Sequence, residues 1–519
     1  MALTIRNHSM RQNSNNFLLS KLKDKFDLIS LLVLIGLINY FNYPMITLKY
    51  NNLNEIYYQW WDEGVHIKNI LKIINENTLE LEHLASTAFY HIQSAGLGLL
   101  IGSLKPDLQD VVLSSLIISS FWIQASIFIY YIFLNAIFKS KVTVVFGLLA
   151  LGTHSSILFH SAVIHPEGPM IFGIIVSLFG SYRFLTNPTK NNLIFTTVGL
   201  GISLAGKVQS ILNLPSIILI YLISVNRRKM HINSIFIQIS IVFITLSITL
   251  LITTPYQIIR FDKLLIGISH EKNVQSFSSK PALLDLLSFI VSNNFIGYYY
   301  LILTMISLII ILINKKNHKT EKNLFLLITI SISIPLLYNI LFLNVLINRY
   351  YVHMLPVLIL MITYFFDILM KLNRSRILKY FSLLLVLIGI QQHIKTADFY
   401  FSKREGIMNE IKIINSIESF LSQQIFKDEM TLGLGFNFFR NPTFNFDQYP
   451  SNQPIKKYQF IIISKNFLKP QFYEGSSSLL PGEEQDQRIR ENIISKIKNS
   501  NYIEINSKSY GNYQLFKKI

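Results

Sequence analysis

Long apolar runs recur along this chain, and they leave few alternatives for its fold. A soluble chain carries about 25% charged residues, whereas here the charged fraction is 15%. Runs near the roughly 20 residues needed to cross a bilayer predict a polytopic α-helical membrane protein with about eleven transmembrane helices. The candidate spans are residues 27–48, 111–134, 142–162, 169–185, 193–206, 208–225, 232–253, 286–313, 323–346, 350–370 and 377–394.

The placement of basic residues predicts how these spans are oriented. The formal net charge is +18, but Lys and Arg are grouped in short clusters between apolar runs. That pattern fixes the orientation of a membrane protein and does not favour nucleic-acid binding. We interpret residues 88–104 as a helix lying at the membrane interface. With the N-terminus inside, the basic clusters are then cytoplasmic, and the loops 49–110, 163–168 and 254–285 are extracytoplasmic.

The chain divides into three parts by composition. Residues 1–26 are polar and basic and form a cytoplasmic N-terminal segment, and the first apolar run after them lacks the features of a cleavable signal. Residues 27–394 form the membrane module. Residues 395–519 are polar, with helical periodicity over 404–424 and a strand-like run at Phe460–Ser464, and they predict a small extracytoplasmic α/β domain.

Two acidic motifs lie in the predicted external loops. The first is Trp60-Trp61-Asp62-Glu63-Gly64-Val65-His66 and the second is His165-Pro166-Glu167-Gly168-Pro169. A carboxylate near a low-dielectric region can serve as a general base. The alternative is structural, because acidic residues are also favoured in the first turn of a helix. His66, His165 and Glu167 are also residue types that bind metals, although the absence of Cys excludes a thiolate site.

Several cations lie on the same predicted side of the membrane. Lys207 interrupts an apolar stretch, Arg260 and Lys263 lie in loop 254–285, and Arg349 precedes Tyr350. A cation at the membrane boundary outside the positive-inside clusters is costly and is therefore a functional candidate. Arg and Lys together suit a lipid phosphate, whereas the alternative is that these side chains snorkel to the interface.

The order of these motifs resembles the GT-C glycosyltransferases of the protein O-mannosyltransferase and aminoarabinose-transferase type. The resemblance covers about residues 25–395 and includes Asp62-Glu63, His165-Pro166-Glu167 and the segment GLGISLAGKVQSILNLP at Gly199–Pro215. Later landmarks are Thr254-Pro255-Tyr256, Arg349-Tyr350 and Leu355-Pro356. The chain departs from the family pattern at Tyr90-His91, where the family has Pro-Pro or Lys-Pro, and at Glu167, where Asp is common.

The resemblance implies transfer of a sugar from a polyprenyl-phosphate donor to a hydroxyl of a glycan, lipid or protein, without a required cofactor. Asp62, or alternatively Glu63, would act as the base, with Glu167 as a further acidic residue of the site. The donor phosphate would be bound by cations and a tyrosine, and the substrates by histidines and a second tyrosine. These residues are Lys207, Arg349, Tyr350, Arg260 and Lys263 for the phosphate, and His66, His165, His91 and Tyr256 for the substrates.

Three other classes of protein share some of these features. A transporter or lipid flippase also has many spans and buried charges, but it often shows internal repeats, and none is evident here. A polymerase or ligase of surface polysaccharide would share the donor class and the sidedness. A non-catalytic scaffold would not need Asp62. The composition, rich in Ile, Asn and Lys, suits many bacteria and favours an inner-membrane location.

Overall fold

A computed structural model of the chain describes most of the membrane module and parts of the tail. The described residues are 25–51, 63–81, 88–229, 231–262, 264–266, 269, 283–293, 295–313, 319–342, 351–371, 377, 379–398, 416–417, 420, 430–434, 445–447, 458–464, 483–499, 501–505 and 513–518. Among the predicted site residues, Asp62, Lys263, Arg349 and Tyr350 lie outside these ranges.

Helices account for most of the described chain, as the apolar runs predict. They are α1 Lys25–Asn51, α2 Glu63–Glu76, α3 Ala88–Ile101, α4 Leu108–Ile137, α5 Lys141–Gly152, α6 Ser155–Ser161, α7 Glu167–Thr186, α8 Lys190–Gly206, α9 Leu214–Arg228, α10 Ile232–Thr253, α11 Pro255–Ile259, α12 Leu283–Val291, α13 Tyr298–Ile313, α14 Lys319–Phe342, α15 Leu355–Lys371, α16 379–398 and α17 Glu483–Lys498. Short 3-10 helices, Val208–Asn213 and Val352–Met354, precede α9 and α15.

Six of the described helices are long and apolar enough to cross a membrane. They are Leu108–Ile137, Glu167–Thr186, Val208–Arg228, Ile232–Thr253, Lys322–Asn339 and Val352–Lys371. A seventh span results if α5 and α6, which meet at a bend of 58°, are counted together. The chain is therefore a polytopic membrane protein, and the eleven-span topology stays a prediction.

Two predicted spans differ from the simple helices that hydropathy suggests. The span predicted at 142–162 is bent between α5 and α6. The span predicted at 286–313 is divided into α12 and α13, and the described residues between them, 292–293 and 295–297, are not helical. Gly297 has a φ of +85°, a left-handed conformation that glycine adopts without steric cost. The Oγ of Ser155 donates to the Asn293 carbonyl over 2.7 Å, so the two breaks contact each other.

The apolar core of the membrane module lies among α4, α5, α7 and α15. Phe133, Tyr130 and Phe366 are among its largest fully buried side chains. A second apolar cluster joins α2 to α3 and α4 through Ile67, Tyr90 and neighbouring residues. α3 has only 14 residues, a length of about 21 Å at 1.5 Å per residue, which is shorter than the bilayer core. The helical part of residues 88–104, Ala88–Ile101, is thus too short for an ordinary span.

The tail contains a mixed five-stranded sheet, which confirms the predicted α/β character. Its strands are β1 Met430–Leu434, β2 Asn445–Asp447, β3 Tyr458–Ser464, β4 Tyr502–Glu504 and β5 Tyr513–Lys518, in the order β2-β1-β3-β5-β4. β1 pairs in parallel with β2 and β3, and β5 pairs antiparallel with β3 and β4. Consecutive residues 460–463 of β3 are buried, as expected for a central strand covered on both faces. Most of the helix predicted at 404–424 lies outside the described residues.

Candidate functional site

The helical hairpin of α7 and α8 packs so closely that glycines are required at its contacts. A Cβ atom on Gly173 would lie 2.3 Å from the backbone nitrogen of Ser203, and one on Gly199 would lie 2.4 Å from that of Ser177. Gly206 has a similar contact, at 2.4 Å, with the backbone of Met170. Small residues at such spacings allow helices in a membrane to approach closely. The contact between Gly206 and Met170 brings the end of α8 beside the start of α7.

This close approach places Lys207 beside Glu167. Glu167 is the first residue of α7, where the helix dipole favours a negative charge, and Lys207 follows the last residue of α8. The Nζ of Lys207 donates to Oε1 of Glu167 over 2.8 Å. The carboxylate is fully buried, whereas the lysine side chain is 14% exposed. The two residues are 40 positions apart in the sequence.

A histidine cluster continues from this ion pair towards α2 and α3. Nδ1 of His165 contacts Oε2 of Glu167. The ring of His165 packs edge-on against His66, with centroids 4.7 Å apart. Nδ1 of His66 and Nε2 of His91 share a hydrogen bond of 2.9 Å. The side chains of His66, His91, His165, Glu167 and Lys207, together with Glu63, are called the acid–histidine cluster below.

Glu63 joins the first of the two acidic segments to the second. Its Oε1 accepts a hydrogen bond of 2.8 Å from the backbone N–H of Ile164, which lies 101 residues later in the chain. Glu63 is 1% exposed and begins α2, and His66 lies one turn further along the same helix. Glu63 therefore has a structural contact, while Asp62, the residue before it, lies outside the described residues. The predicted proximity of Asp62 to Glu167 stays a prediction.

Sequence reasoning missed the hydroxyl groups that support the cluster. The hydroxyl of Tyr90 donates to the carbonyl of Ser115 and shares a hydrogen bond with the Oγ of Ser119, each over 2.8 Å. The ring of Tyr90 packs edge-on against His66 at 6.4 Å. A visible signal was the run of serines along the otherwise apolar α4, because buried hydroxyls in a membrane helix need partners.

The candidate site residues of the segment 254–285 have different surroundings. The guanidinium of Arg260 forms a two-point ion pair with Asp262, over 3.1 and 3.0 Å. The hydrogen bond and the charge of Asp262 raise the pKa of Arg260 above its usual value. Both side chains are exposed. Tyr256 is half-buried in the short helix α11. No described contact joins Arg260 or Tyr256 to the acid–histidine cluster.

The described residues do not form a metal centre. Within the ranges that the structure describes, no group of three or more His, Asp or Glu side chains has positions that suit a metal ion. The ring of His165 instead packs against the ring of His66, and its Nδ1 contacts the carboxylate of Glu167. The acid–histidine cluster combines two acids, one cation and three imidazoles in a largely buried site.

Comparisons with known proteins identify the fold. No family model matches the chain, and no curated protein sequence matches it. Among solved structures, ArnT from Cupriavidus metallidurans bound to undecaprenyl phosphate is similar, with a TM-score of 0.54 and 8% identity over 93% of this chain and 98% of that chain. The apo state of the same protein gives a TM-score of 0.51 with the same identity and coverage. The chain thus has the GT-C fold that its motifs predict.

Proposed function

We propose that this protein is an integral-membrane glycosyltransferase that transfers a sugar from a polyprenyl-phosphate donor to a hydroxyl acceptor on the extracytoplasmic side. The observation that carries the proposal is the acid–histidine cluster, which gathers residues from three segments predicted to lie on that side. The cluster occurs in a chain whose fold is shared with a protein that was crystallised with undecaprenyl phosphate. We further propose that the membrane is a bacterial inner membrane.

The proposed reaction needs one base and a stabilised leaving group. Asp62 takes the proton from the acceptor hydroxyl, and the acceptor oxygen attacks C1 of the sugar with inversion. The C1–O electron pair leaves with the polyprenyl phosphate, whose developing charge is stabilised by Lys207 and Arg349. Because a phosphate group leaves readily, the chemistry does not require a metal.

The remaining predicted residues have supporting roles in this proposal. Tyr350, Arg260 and Lys263 would help to hold the donor head group, although Arg260 must exchange its contact with Asp262 to do so. His66, His91 and His165 would form the polar wall of the sugar site, and Tyr256 would contact substrate at the start of the third loop. Glu167 would position Lys207 at the donor site.

Glu63 serves as a matched comparison for Asp62, because the two acids are adjacent but have different expected roles. Asp62→Asn should reduce single-turnover transfer by about 10²–10⁴-fold with donor saturating, because a positioned general base is lost. Glu63→Gln should reduce transfer less, because the amide oxygen still accepts the hydrogen bond from the N–H of Ile164. Donor binding should be retained in both variants.

The assay uses purified protein with a panel of radiolabelled polyprenyl-phosphate sugars and identifies the labelled product. An inactive Glu63→Gln variant beside a normal Asp62→Asn variant would assign the base to Glu63. Full activity in both variants would contradict the glycosyltransferase function of this segment and would favour the transporter or scaffold alternative.

A further inference from the structure

The carboxylate of Glu167 has two contacts of different kinds. One oxygen accepts from the ammonium of Lys207 over 2.8 Å, and the other contacts the imidazole of His165. Glu167 is completely buried, whereas Lys207 retains 14% of its side-chain exposure. The ammonium is therefore the partner that an incoming anion can reach.

We infer that Glu167 is a positioning residue that competes with the donor phosphate for Lys207. This inference rests on the proposed function, in which Lys207 binds that phosphate. Before the donor binds, the carboxylate holds the ammonium at the site. When the donor arrives, Nζ moves from Oε1 of Glu167 to a phosphate oxygen, and it returns to Glu167 when the product phosphate leaves.

The surroundings of the pair favour such an exchange. Lysine is a point charge on a flexible stem with three rotatable donors, so it can change partners by rotating about its side-chain bonds. Leaving a buried carboxylate without a partner would be costly, but His165 remains in contact with the second oxygen of Glu167. The close glycine contacts between α7 and α8 hold the backbone in place, so the exchange needs no helix movement.

A purely structural role for Glu167 gives the opposite result on substitution. If Glu167 only holds Lys207 in place, its neutralisation should misplace the lysine and weaken donor binding. If Glu167 competes with phosphate, Glu167→Gln should release the lysine and strengthen donor binding. A charged hydrogen bond contributes about 1.5–3 kcal/mol, so the expected gain in affinity is about 10–150-fold.

The experiment measures binding of undecaprenyl phosphate to the full-length protein in detergent. Wild type, Glu167→Gln, Lys207→Met and the double variant are compared. Glu167→Gln should bind more tightly than wild type, and Lys207→Met should bind more weakly. When Glu167→Gln is added to Lys207→Met, the gain in affinity should be at least about fivefold smaller than in the wild-type background. The reason is that the cation for which Glu167 and the phosphate compete is absent.

Turnover kinetics provide a second test, because a purely structural role for Glu167 would not give the result expected for the exchange. Glu167→Gln should lower both KM for the donor and kcat, because the product phosphate keeps the lysine and leaves slowly. If Glu167→Gln does not fold, Glu167→Asp retains the charge but shortens its reach, and it should strengthen donor binding by a smaller factor.

The outcomes separate this inference from the proposed function. Failure of the wild type to bind undecaprenyl phosphate would contradict the proposed function and the exchange together. The exchange alone would be overturned if the wild type binds undecaprenyl phosphate but the folded Glu167 variants bind it no more tightly than the wild type. An equal gain with and without Lys207 would also overturn it, because the effect would then be direct repulsion between Glu167 and the phosphate.

Discussion

Gly173→Ala tests whether close packing of α7 on α8 builds the site. The added Cβ would lie 2.3 Å from the backbone nitrogen of Ser203 and 2.5 Å from the carbonyl oxygen of Gly199. Ordinary van der Waals contacts begin at 3.4 Å, so the distance of 2.3 Å between the added Cβ and the Ser203 nitrogen is too short by 1.1 Å. Both neighbours are backbone atoms, which cannot rotate away, and the two helices must therefore separate by about 1 Å.

The expected loss of stability follows from two opposing effects. Overpacking a well-packed interface costs about 1–3 kcal/mol, and a clash with two backbone atoms belongs at the upper end of that range. Replacing glycine by alanine within a helix gains about 1 kcal/mol. The free energy of unfolding of Gly173→Ala should therefore fall by about 2 kcal/mol.

Gly96→Ala provides the matched control, because it makes the same chemical change in α3 where no heavy atom lies within 4 Å of the added Cβ. This variant should be as stable as wild type or more stable by up to about 1 kcal/mol. Thermal unfolding of both variants in the same detergent measures the difference. A melting temperature of Gly173→Ala at or above that of Gly96→Ala would contradict the close packing of α7 on α8. Undecaprenyl phosphate binding should weaken only in Gly173→Ala, because separation of α7 from α8 displaces Lys207 from the site where the phosphate would bind.

Two further predictions concern the support of the site and the topology. Tyr90→Phe removes a hydroxyl that is hydrogen-bonded to Ser115 and Ser119. Because the buried partners lose a hydrogen bond, the free energy of unfolding should fall by about 1–2 kcal/mol in the same melting assay. An unchanged melting temperature would contradict a supporting role for Tyr90. Reporter fusions at residues 320 and 519 should report opposite sides of the membrane, with the C-terminus outside, and a report of the same side for both would refute the predicted orientation.

Hydropathy predicted the positions of the membrane helices because an apolar run of sufficient length has few other stable structures. It did not predict the division between α12 and α13, because an average over some 20 residues hides a short polar interruption. The local signal was present, since Ser292 and Asn293 precede Gly297 within the apolar run. Turn-forming residues at that spacing indicate a break more directly than mean hydropathy does.

The members of the site could be predicted from sidedness, but their partners could not. Glu63, Glu167 and Lys207 were candidates because each interrupts or borders apolar sequence on one predicted side. Their contacts depend on tertiary packing between segments up to 101 residues apart, which a single sequence does not encode in any local pattern. Arg260 shows the reverse case, because its partner Asp262 lies only two residues away in the sequence.

The segment 162–167 connects the two acidic motifs physically, and this connection affects how variants of the first motif should be interpreted. Its Ile164 N–H donates to Glu63, and its His165 contacts both His66 and Glu167. Glu167 in turn holds Lys207. A change at Glu63 that breaks the hydrogen bond from the N–H of Ile164 is therefore expected to affect the lysine through this segment. Weaker donor binding in a Glu63 variant would be evidence for displacement of the segment, whereas lost turnover with unchanged donor binding would indicate a direct part in the chemistry.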